Sequence, residues 1–76
     1  GEVMTAQAPY KPGDLITVDH DTTTGNRVTE RVRVLRVVPM NDGVTWRLET
    51  ERHDGGDMHV YVDRLGPIAV GQLTST

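Results

Sequence analysis

The chain has 76 residues, no cysteine and a formal net charge of −3; at this length it makes one domain and buries only about 60% of the surface its unfolded form exposes. Those figures exclude a disulfide framework, a thiolate metal site and a covalent thiol mechanism, and no apolar run approaches the roughly 18 residues that a membrane-spanning helix needs. Valine, isoleucine and threonine make up 23 of the 76 residues, and branching at Cβ favours extended backbone over helix. Strands are therefore expected throughout.

Residues 1–9 show no periodicity and end in Ala8-Pro9, which reads as a disordered tail ahead of a domain over residues 10–70. Lys11-Pro12-Gly13-Asp14 is a turn that delivers the chain into a first strand, Leu15 to Asp19, with Ile16 and Val18 on one face. The polar loop Asp21 to Asn26 reverses it into the longest strand-like run, Arg27 to Val38. There the alternation breaks. Val28, Val32 and Val34 share one parity and Leu35 and Val37 the other, so a bulge or sharp bend is expected near Val34-Leu35, with Leu35 and Val37 facing inward after it.

Pro39-Met40-Asn41-Asp42-Gly43 is the strongest turn signal, because Asp-Gly tolerates the positive φ of tight hairpins. A third strand follows with Val44, Trp46 and Leu48 inward. His53 to Asp57 makes a second hairpin loop into Met58 to Val62, with His59 and Tyr61 outward. Asp63 to Pro67 suits a 3₁₀ turn, Ile68-Ala69-Val70 a short fifth strand, and Gly71 to Thr76 a frayed end.

This order of strands and turns resembles the SH3-like small barrels, including the Tudor and KOW-type variants. The residues carrying the resemblance are Lys11-Pro12-Gly13-Asp14 before strand one and Val62-Asp63-Arg64-Leu65-Gly66 before strand five. It spans residues 10–70 and implies an all-β, five-stranded, partly open barrel with one 3₁₀ turn before the last strand. An OB-like barrel fits the same strands. The fold hosts unrelated functions and assigns none, and with only Tyr10 near the first loop the aromatic groove of a proline-rich-peptide reader is not supplied.

Three histidines sit near carboxylates, in Asp19-His20-Asp21, His53-Asp54 and Asp57-Met58-His59, but none has the His-x-x-x-His spacing of a metal motif. Asp19, His20 and Asp21 converge on one cation only if the strand ends there. No metal and no cofactor is expected. Neither a nucleophile elbow nor a phosphate loop occurs, and a one-layer core offers little depth for separating two carboxylate pKa values, so an enzyme is not expected.

Charge is distributed unevenly. Residues 27–52 carry six arginines against four acids, whereas the remainder carries Lys11 and Arg64 against seven. Arg31, Arg33 and Arg47 fall on the outward parity with Glu49 and Glu51, which is either ordinary cross-strand pairing or a recognition face that His59 and Tyr61 extend. Those five residues, Arg31, Arg33, Arg47, His59 and Tyr61, are the candidate binding set. The reading is a non-enzymatic module that binds a protein partner through its sheet face or a strand edge. The alternatives are a small nucleic-acid-binding regulator using the arginine stripe, which the acidic balance disfavours, and a small structural subunit of the phage type. The absence of cysteine fits a cytoplasmic setting, and the arginine-over-lysine bias is what a GC-rich genome, of an actinobacterium or its phage, encodes. Oligomeric state is not legible.

Overall fold

The computed structural model describes residues 8–72. Most of the expected tail and of the expected frayed end lies outside those residues. Five antiparallel strands form one sheet in the order β1-β2-β3-β4-β5: β1 Leu15–Asp21, β2 Arg27–Pro39, β3 Trp46–Arg52, β4 Asp57–Asp63 and β5 Gly66–Gln72. The sheet curls into a nearly closed barrel in which β1 and β5 approach each other without pairing. No helix is present among the described residues, and so none is long and apolar enough to cross a membrane.

The barrel is filled from the inward parity of each strand: Ile16 and Val18, Val32 and Val34, Trp46 and Leu48, then Met58, Val60 and Val62 are all buried. Ala8, Tyr10, Val37 and Val70 pack against this core. Its one fully buried hydroxyl, on Thr50, donates to the Met58 carbonyl at 2.7 Å and so adds no unpaired polar group.

The expected break in β2 is a bulge. Pairing with β3 runs Val34↔Thr50 and then Arg36↔Glu49, so Leu35 is the extra residue. As the bulged residue Leu35 stays 49% exposed rather than turning inward, and the parity change takes effect from Val37.

Two other expectations are corrected. Val44 is 61% exposed and precedes β3 instead of belonging to it. The reason is Asp42, whose Oδ1 accepts from the Val44 and Thr45 amides at 3.0 and 2.9 Å while Oδ2 accepts from the Thr45 hydroxyl at 2.6 Å. That side chain holds the loop closed through Thr45 and delays the strand to Trp46. Residues 63–66 make a hairpin turn instead of a 3₁₀ turn: Asp63 Oδ1 accepts from the Leu65 and Gly66 amides at 2.8 and 3.2 Å, and Gly66 supplies the φ of 131° that starts β5 directly alongside β4.

Candidate functional site

The strands are unequal in length, and that inequality builds a concavity on the surface. β2 has thirteen residues, but β3 pairs only with its Val32–Pro39 portion, while β1 covers Arg27 to Arg33. Among the described residues, the five from Arg27 to Arg31 therefore form an overhang with a strand on one side only. Val34 donates to the Asp14 carbonyl at 2.8 Å and accepts from the Gly13 amide at 2.7 Å, both on the β1 side. Peptide groups alternate in direction along a strand, so Val28 and Glu30 also turn theirs towards β1. Arg27 and Thr29 turn theirs away, to an edge that no strand among the described residues occupies.

That edge opens on a groove of about 620 Å³, lined by Thr29, Glu30, Arg31 and Arg33 from β2, by Leu15 from β1 and by Glu51, Arg52 and His53 across from them, so that Glu51 sets one carboxylate among its arginines. The β3–β4 turn bounds one end. It is tied by the Arg52 amide to the Gly56 carbonyl at 2.7 Å and by the Gly55 amide to the Arg52 carbonyl at 2.9 Å, with Gly55 at a φ of 90°.

Beneath the groove three polar residues close the barrel end. His20, Glu30 and Arg52 each sit at an inward position of their strand, continuing the parity of Val18, Val32 and Thr50. His20 Nε2 donates to Glu30 Oε1 at 2.9 Å, and Arg52 Nε donates to Glu30 Oε2 at 2.7 Å. The Glu30 side chain is only 16% exposed. Arg52 holds its carboxyl below the usual carboxylate range against the opposing effect of burial, with His20 adding to the depression. Glu30 in turn raises the Arg52 guanidinium. Both oxygens of Glu30 are thus engaged, and the other charges of the groove are those of the outward side chains Arg31, Arg33 and Glu51. Sequence reasoning missed this trio, although the inward parity of Val18, Val32 and Leu48, extended by one or two steps, finds all three.

The five residues expected from sequence fall into two groups. Arg31 and Arg33 are exposed on the overhang side and line the groove; among the described residues neither has a carboxylate within 4 Å. Arg33 stands opposite Glu51 in the ladder, yet the two make no ion pair within 4 Å. Arg47, His59 and Tyr61 lie together on the outer face of β3 and β4, where Arg47 is opposite Tyr61 and Glu49 opposite His59. The His59 and Tyr61 rings meet edge to face, with centroids 6.4 Å apart at 77°.

Arg47 is engaged with its own sheet, its guanidinium reaching Glu49 at 3.5 Å and its Nε buried without a partner. Arg36, which the bulge turns to the same outer row as Glu49, is a further exposed arginine there.

β1 continues through Asp21, so Asp19 and Asp21 point outward while His20 points in, and the three do not converge. Asp19 accepts instead from the Thr29 hydroxyl at 2.6 Å, and Asp21 pairs with Arg27 at 3.4 Å. Compared with protein-family models, with curated proteins and with solved structures, the chain matches none.

Proposed function

We propose that the chain is a non-enzymatic protein-interaction module that takes an extended segment of a partner onto the free edge of β2. The observation that carries this reading is the overhang: Arg27 and Thr29 turn backbone donors and acceptors to an unpaired edge, beside which lies a groove of about 620 Å³ that Thr29 lines, with β1 already fixing their direction. Strand addition draws its affinity from such main-chain groups and its specificity from the side chains beside them. Five residues at roughly 3.4 Å each give a docking length of about 17 Å.

The seam between β1 and β5 is the competing edge. Its groove, about 380 Å³, lies between two strands that already approach each other. Pro67 on its β5 side has no amide proton to offer. The overhang suits an incoming strand better. A chain without cysteine suits work in a reducing cytoplasm.

Thr29 allows a direct test, because its amide points away from β1. Thr29→Pro removes one edge donor and fills the edge with a ring while leaving the β1–β2 hydrogen bonds in place; Thr29→Val loses the Asp19 contact but keeps the amide. After selection of binders from a displayed library of random unstructured octapeptides, the valine variant is expected to bind them within about twofold of the parent. The proline variant, folded by circular dichroism, is expected to lose them. Equal binding by both variants removes the β2 edge from the interface.

A further inference from the structure

We infer that the segment taken by the β2 edge is an acidic one, in which carboxylate side chains alternate with uncharged residues. The inference rests on the strand-addition reading above and supplies the partner chemistry that reading leaves open.

A strand laid along Arg27 to Arg31 places its side chains alternately on the two faces of the sheet. Those on the outer face fall beside the outward side chains of β2, which here are Arg27, Thr29 and Arg31, with Arg33 next along the strand, where Glu51 of β3 already stands opposite it. Arg31 and Arg33 have no carboxylate within 4 Å among the described residues, and Arg27 has only the long, exposed contact to Asp21. Their guanidinium forks are therefore free for carboxylates, which they match in a bidentate way. This cationic stretch lies on a chain whose overall charge is −3, so its sign is not that of the surface at large.

Side chains on the inner face meet different surroundings. They enter a recess of about 490 Å³ lined by His20, Thr22, Val28, Glu30 and Arg52. The carboxylate of Glu30 already holds both His20 and Arg52. A second acid there finds no unpaired cation and meets Glu30, whereas an apolar side chain covers half-buried Val28. Alternation follows: acidic outward, uncharged inward.

The test uses two synthetic blocked hexapeptides, one alternating glutamate with valine and one alternating lysine with valine, added to the full chain. Affinity and the hydrogen exchange of the Thr29 amide are both read. The glutamate peptide is expected to bind and to slow Thr29 exchange at least tenfold, the lysine peptide to do neither. The double variant Arg31→Gln with Arg33→Gln, its melting temperature checked against the parent, is expected to weaken the glutamate peptide tenfold or more.

A lysine peptide that protects Thr29 as well as the glutamate peptide overturns the acidic preference and leaves the edge reading standing. If neither peptide protects Thr29, both fail. A single-stranded oligonucleotide that displaces the glutamate peptide and depends on the same two arginines overturns the inference in favour of nucleic acid, recognised by steep weakening with salt.

Discussion

Replacing Trp46 with alanine is expected to remove about 3–5 kcal/mol of stability, as large-to-small changes at buried aromatic positions do. Trp46 is 5% exposed and is the one aromatic ring among the buried apolar residues described, so its removal takes out the largest side chain of the core. Domains of this size hold a total stability of only a few kcal/mol. The variant should therefore be largely unfolded at 37 °C. Tyr61→Ala is the matched control, because Tyr61 lies on the outer face, with its ring edge near Gly71 where a Cβ would stand only 3.5 Å away. Losing a cross-strand contact of that kind costs on the order of 1 kcal/mol. Urea midpoints for the two variants check the pair, and equal losses would show that Trp46 does not fill the core.

The second large effect is expected at Glu30. Glu30→Gln keeps the shape of the side chain but weakens the charge-assisted bonds to Arg52 and His20, which should cost about 1.5–3 kcal/mol at pH 7. Because the folded state lowers the Glu30 pKa, its contribution is complete above the ordinary carboxylate value of about 4.3 and is lost as pH falls through the depressed folded value. The stability gap between parent and variant should thus stay level from pH 7 to about 5 and close below that. Asp14, Asp42 and Asp54 are also lowered in the folded state, chiefly by hydrogen bonds from Lys11, Thr45 and Gly56 respectively. They are common to both proteins and cancel in the difference. A gap that persists unchanged to pH 2 would mean that the Glu30 charge contributes nothing.

Alternation of apolar and polar residues made the strands and the core legible in the sequence. Val18, Val32, Val34, Leu48, Val60 and Val62 repeat at a period of two between Gly- and Asp-bearing turns, and all six are buried. The parity change at Val34-Leu35 likewise marked the bulge, though not that Leu35 itself would be the residue left outside. What sequence could not show were effects of side chains on turn length. Nothing in the Asp42-Gly43-Val44 string says that one carboxylate will bind two amides and a hydroxyl and hold Val44 out of the strand.

The candidate site was half legible. Arg31 and Arg33 follow from outward parity alone, but the groove beside them depends on β3 ending at Arg52 while β2 runs five residues further, a mismatch in length that no local pattern encodes. His20, Glu30 and Arg52 are polar residues at inward positions, and the periodicity of apolar residues passes over them. Arg47, His59 and Tyr61 were found as outward residues, yet Arg47 is occupied by Glu49 and by its own buried surroundings.

The account stands on the open edge of β2, and residue-resolved amide exchange of the protein without any partner tests it most directly. Val28 and Glu30 direct their amides to β1 and should exchange slowly, whereas Thr29, between them, should exchange at least tenfold faster. Such an every-second-residue pattern is the signature of a strand paired on one side only. Protection of Thr29 equal to that of Val28 and Glu30 would mean that the edge is already occupied, and the overhang could not receive a partner.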